Sequence, residues 1–276
     1  MCTVRTRSSA ATDNRPMLAT HEWPPATDGD RTGVAVLVHG VLGWHRTWWR
    51  VGPALAERGW HVLAADGRGH GHSPRIDGSA TIGELAEDLG RMIDDRAGGR
   101  VDLLVGHSLG AVVSMWLVHR RPSVAVRLVL EDPPSLDRTG DTEFLDRLRR
   151  EIAAARTDPE GEVRRELQQN PAWVEEDARQ NVEGRAMADA DGIVASLDRP
   201  RGFAVAELAA EMQVPTLYLL GAEDRGSVLV GAARDRLRVN LPPDSRLEVL
   251  DAGHTIHRDR FVEYVEALHA WGAIGE

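Results

Sequence analysis

Short apolar runs alternate with amphipathic stretches along most of the chain. VAVLV (34–38), HVLAA (61–65), VDLLV (101–105), VRLVLE (126–131), TLYLLG (216–221) and RLEVLD (246–251) read as strands. Between them, apolar residues recur at helical spacing. Ile82, Leu85, Leu89, Met92 and Ile93 form one such stripe, and Val112, Trp116 and Leu117 lie in another. A helix is predicted over 49–58, and Phe261, Tyr264, Val265 and Leu268 mark a closing helix. This rhythm predicts the α/β class, with a mostly parallel central sheet flanked by helices.

The rhythm breaks once. From Ser135 to about Ala209 there is no strand pattern, only charged helical segments such as EFLDRLRREIAAAR. Pro133-Pro134 stands before this region, and Pro215 precedes the strand that resumes the alternation. The expected organisation is a core from 17–134 and 210–272, a helical cap over 135–209, and a flexible N-terminal tail at 1–16.

The chain has 276 residues, enough to bury a large core, and one cysteine, Cys2, which excludes an internal disulfide or a thiolate metal cluster. The formal net charge of -10 argues against nucleic-acid and anionic-membrane partners. The polar first 16 residues lack the apolar core of a secretory signal, and no window reaches the ~18 apolar residues of a membrane helix. A cytoplasmic location is expected. The basic residues other than histidine are all arginine, which removes lysine nucleophiles and Schiff bases.

The junction VGHSLGA carries the sharpest chemical signal. A strand ends in Gly106-His107-Ser108-Leu109-Gly110 and a helix starts at once. A serine there sits on a tight strand-to-helix turn, and the helix N-terminus behind it can hold a developing oxyanion. Side chains at Gly106 and Gly110 would collide with the neighbouring strand and helix. A serine hydroxyl needs a base, and the base needs a carboxylate. Asp224 follows the strand TLYLLG, and His254 follows RLEVLD, giving the order Ser108, Asp224, His254. Glu223 adjoins Asp224.

With His39-Gly40 after a strand, DGRGHGHS (66–73), GHSLGA (106–111), GAED (221–224) and AGH (252–254) in this order, the chain resembles the α/β-hydrolase superfamily from about residue 17 to 272. The resemblance implies an oxyanion hole built from the backbone N–H groups of Leu109 and Val41, with Leu42 as the alternative to Val41. Some relatives carry the acid after the strand that here precedes Asp132, so Asp132 stands as the rival to Asp224. Serine at the nucleophile position argues against epoxide hydrolases and haloalkane dehalogenases, which carry aspartate there. The reading is a serine hydrolase that cleaves a carboxylic ester or lactone of a small to medium apolar substrate through an acyl-enzyme.

Trp44, Trp48, His107, Trp173 and His257 are candidate pocket residues, His257 either orienting its loop or lining the pocket. GRGHGH (67–72) is a glycine-rich turn and not a dinucleotide fingerprint. Asp66 is expected to hold that turn. His70 with His72, or His254 with His257, lacks a third metal ligand, so neither a metal nor another cofactor is expected. Two rivals remain. The same triad could serve C–C bond hydrolysis, thioester cleavage, perhydrolysis, lyase or cofactor-free oxygenase chemistry, although the segment HGVLGW lacks the glycine pattern of ring-cleavage hydrolases. Alternatively, the scaffold could bind a small molecule without turning it over. The oligomeric state is left open.

Overall fold

Alternate side chains of each central strand are buried on opposite faces, and this two-sided burial organises the molecule. The computed structural model describes residues 17–26, 32–78, 80–135, 142–198 and 204–273. The expectations for the 1–16 tail and Cys2 fall outside them. Val36, Leu63, Leu104 and Leu128 face one apolar core, and Ala35, Leu37, Val62, Leu103, Val105 and Val129 face the other. The strands are β1 (Thr20–Trp23), β2 (Gly33–Val38), β3 (Trp60–Ala65), β4 (Val101–His107), β5 (Ala125–Glu131), β6 (Thr216–Leu220) and β7 (Arg246–Val249). They form one sheet in the order β1-β3-β2-β4-β5-β6-β7. All neighbours pair in parallel except β1, which runs antiparallel to β3. Such a sheet must be covered on both faces, as the continuous apolar runs anticipate.

On one side lie α2 (Ile82–Ala97) and α3 (Leu109–Arg120); on the other lie α1 (Val51–Ala56) and α11 (Phe261–Gly272). Thr81 caps α2 and Glu84 reaches back to the Thr81 N–H, a reciprocal arrangement that fixes where the helix starts.

The interval between β5 and β6 holds α4 (Thr142–Thr157), α5 (Pro159–Gln169), α6 (Glu175–Met187), α7 (Ala190–Leu197) and α8 (Val205–Ala209). Leu145, Leu148, Ile152 and Ile193 of this interval pack on Leu42 and Ile76, which belong to loops after β2 and β3. The last helix behaves differently. Val205, Ala206 and Ala209, at the end of the expected 135–209 cap, are buried in the core beside the sheet. The remaining helices are α9 (Gly231–Asn240) and α10 (Ile256–Asp259). Among the described residues no helix is long and apolar enough to cross a membrane.

Candidate active site

The strand ends of the parallel sheet bring the singled-out residues together. Among the described residues three non-glycine residues have positive φ: Leu42 (62°), Ser108 (52°) and Asp132 (42°), after β2, β4 and β5 respectively. Non-glycine residues persist in such conformations only when their surroundings impose them, and functional sites are where this strain collects.

Ser108 is the turn between β4 and α3, at φ 52° and ψ -119°. The backbone is too crowded there for any side chain on its flanks. A Cβ on Gly106 would stand 2.5 Å from the Gly110 carbonyl oxygen, and one on Gly110 would stand 2.3 Å from that of Val38. The Ser108 N–H donates to the Glu131 carbonyl at 2.9 Å, tying the turn to the end of β5. Among the described residues neither Leu109 N–H nor Val41 N–H has a protein acceptor. His39 fixes the Val41 loop. Its Nδ1 donates to the Gly40 carbonyl (2.7 Å), and its Nε2 accepts from Gly67 N–H (2.9 Å).

His254 lies in the loop after β7, and its Nδ1 donates to Asp132 Oδ2 at 2.7 Å. Asp132 is fully buried and directly follows β5. The same Oδ2 accepts from Val228 N–H at 2.9 Å, and Oδ1 accepts from Ser227 Oγ. Ser227 Oγ in turn accepts from Arg234 Nη2 (2.7 Å), whose buried guanidinium also donates to the Gly221 and Leu229 carbonyls. A carboxylate held by this many donors is fixed in orientation. Ser227 and Arg234 were not foreseen, because only the folded loop brings them to Asp132.

The expected partnership of His254 with Asp224 is corrected by this geometry. After β6 the chain enters a short 3-10 turn, Glu223–Arg225, that ends at Gly226 in the left-handed region (φ 92°). The turn leaves Asp224 exposed, while Ser227 and Val228 come back inward to Asp132.

Ser108 and His254 line one cavity of about 720 Å3 together with Val41 and Leu109, and His107, Trp173 and His257 line it as well. Ser108 and His254 form no direct hydrogen bond here; such contacts often close only around substrate. Trp44 and Trp48 do not line the cavity. Trp48 is fully buried in the core on the α1–α11 side, and Trp44 donates its Nε1–H to the Gln180 carbonyl of α6. With Trp49 Nε1 and Arg50, both bonded to Asp177, Trp44 anchors the inserted helices. Trp173 sends its Nε1–H to Asp259 Oδ1 (2.9 Å), and Asp259 Oδ2 accepts from Gly253 N–H, next to His254. The insertion is thus bonded to the His254 loop.

The other histidines are supports. His107 Nε2 donates to the His254 carbonyl (3.0 Å), and His257 bonds Glu131 through both its N–H and Nδ1. Burial pushes His39, His107 and His257 below the ordinary histidine range and His70 down to about 3, so all four are neutral at pH 7. The unfolded chain binds those protons near pH 6.5, and the native chain does not. Stability is therefore fully present above about pH 6.5 and falls as the pH drops below it, and for His70 the fall continues toward pH 3, with a slope of up to ~1.4 kcal/mol per pH unit for that histidine. Burial of Glu131 pushes its carboxyl up and opposes this trend. Urea unfolding at pH 5.0, 6.0 and 7.5 should show stability falling toward acid, with a shallower slope in His70→Gln; equal slopes in the two proteins would contradict the assignment.

Around Asp66 the expected turn-holding role is visible. Its Oδ1 accepts from His45 N–H and Nδ1, and its Oδ2 from His72 N–H, and these bonds hold its carboxyl down at about 2 against the opposing effect of burial. His45, Asp66 and His72 have ligand atoms within 4.8 Å of one another, but both carboxylate oxygens already accept hydrogen bonds, Oδ1 from His45 and Oδ2 from His72 N–H.

A family model described as "alpha/beta hydrolase fold" matches residues 34–261. Among curated proteins, the chain is 26% identical to the sn-1-specific diacylglycerol lipase ABHD11 of Mus musculus over 97% of this chain and 89% of that protein. It is 27% identical to epoxide hydrolase A of Mycobacterium tuberculosis over 85% and 88%. Among solved structures, the thioesterase domain from the curacin biosynthetic pathway superposes with a TM-score of 0.73 at 20% identity, covering 92% of this chain and 95% of that one.

Proposed function

As a member of the α/β-hydrolase fold family, the chain is a hydrolase, and we propose that it is a serine hydrolase acting on a carboxylic ester or lactone. The observation that carries the reading is the strained serine at the end of β4 sharing a cavity with a histidine whose Nδ1 is bonded to a buried carboxylate. In this reading Ser108 Oγ attacks the carbonyl carbon and its proton passes to His254 Nε2. The carbonyl oxygen, now negative, is held by the Leu109 and Val41 N–H groups, each worth ~3 kcal/mol in the transition state. Collapse breaks the acyl C–O bond, and His254 returns the proton to the leaving oxygen. Water, deprotonated by His254, then cleaves the acyl-enzyme to the free acid and restores the Ser108 hydroxyl. Asp132 holds the His254 tautomer and stabilises its cation.

The inserted helices act as a cap, anchored to the core through Trp44, Trp49 and Trp173. A cavity partly lined by Arg147, Glu151, Glu166 and Arg185 from these helices suits a substrate with a polar portion beside its apolar part.

A panel of short-chain esters, lactones, thioesters and epoxides separates the bond classes that relatives of this fold cleave. Oxygen esters or lactones should exceed the other classes by at least about 10-fold in kcat/KM. Preference for thioesters, or turnover of epoxides, would replace this reading.

A further inference from the structure

Arg258 stands apart from the other arginines of the cavity. Arg185 is paired with Glu166 at 2.6 Å, Arg225 with Asp251 at 2.6 Å, and Arg147 with Glu151 at 3.8 Å. Arg258, on α10 four residues after His254, is 4% exposed and lines the same cavity. Among the described residues its guanidinium has no ion pair and no hydrogen-bond acceptor, and its Nε is buried without a partner. It lies over the Trp173 ring, 4.5 Å from the centroid. Trp173 is itself pinned by Asp259, the residue after Arg258.

A buried, unpaired cation is unfavourable unless an anion compensates it. Burial pushes the Arg258 group down to about 10, with Asp177, Glu166 and Glu131 offsetting the fall and Arg185 adding to it. Even so, the side chain stays charged at pH 7. A guanidinium set over an indole face offers a planar fork of donors that matches a carboxylate.

Resting on the serine-hydrolase reading above, we infer that Arg258 is a specificity residue that binds a free carboxylate on the substrate, so that the natural ester or lactone is an anion. The cavity of about 720 Å3 has room for a medium-sized ester carrying such a group.

The test uses matched pairs. One series has p-nitrophenyl esters of adipic and pimelic acid with the far end as free acid or as N-methylamide. The other has butyrate esters of glycolic and 4-hydroxybutyric acid against their amides, which moves the carboxylate to the alcohol side. Wild-type protein should favour the free acid by about 10-fold or more in kcat/KM in one series, mainly through KM. Arg258→Gln should bring the ratio near one, and Arg258→Lys should retain part of it. A wild-type ratio near one in both series, or a ratio unchanged in Arg258→Gln, overturns the inference while ester turnover leaves the hydrolase reading standing. Loss of all ester turnover together with no fluorophosphonate adduct on Ser108 overturns both. Should Arg258→Gln fail to fold, thermal stabilisation of the wild type by glutarate but not glutaramide supports the site, and equal shifts overturn it.

Discussion

Replacing Ser108 with alanine, or His254 with alanine, is expected to lower kcat on the order of 10⁶-fold, to the level that substrate binding and the oxyanion donors supply alone. The effect is this large because the two side chains act as one unit in the proposed mechanism: a serine without a base is a poor nucleophile, and a base without the serine has no proton to take. Neither change should cost much stability. Ser108 supports the fold through its backbone, whose N–H bonds the Glu131 carbonyl and whose carbonyl accepts from Ala111 and Val112, and alanine keeps these bonds. Steady-state kinetics with the best ester of the panel, beside urea unfolding of each variant, measures both. A double variant should lose no more activity than either single one.

The second large effect separates two carboxylates. Asp132→Asn should reduce kcat about 10⁴-fold, because an amide at this position favours the wrong histidine tautomer and cannot stabilise the imidazolium. Asp224→Asn should stay within about twofold of wild type, as its side chain is exposed and His254 Nδ1 is bonded to Asp132 instead. Comparable losses in the two variants, or a larger loss at Asp224, would return the acid to the loop after β6. Ser227→Ala should fall between them, since it removes one donor to Asp132 but leaves the His254 bond in place.

That contrast shows where the sequence was readable. The parallel core was legible because each central strand must be apolar on both faces, which writes itself as VAVLV, VDLLV or TLYLLG. β1 was not. It is a four-residue antiparallel edge strand, THEW, with no residue fully buried, and polar edge positions carry no period. Ser108 was legible because crowding at Gly106 and Gly110 constrains neighbouring residue types. The acid was not, because Asp132 and Asp224 both follow adjacent strands, and the choice depends on the turn at 223–226. Trp44 and Trp48 sit close to the site in sequence, yet their rings point into other packing. Arg258 carries no sequence signature at all: its isolation depends on which arginines the folded chain pairs and which it leaves free.

The central claim is that Ser108 is activated by a histidine held by Asp132. The most direct measurement is the intact mass of the protein after exposure to a small fluorophosphonate, with His254→Ala and Asp132→Asn in parallel and the adduct mapped by peptide fragmentation. The account predicts a single adduct on Ser108, absent in His254→Ala and formed far more slowly in Asp132→Asn. A folded wild-type protein that remains unmodified, or an adduct on Ser108 that forms equally fast in all three proteins, would contradict it.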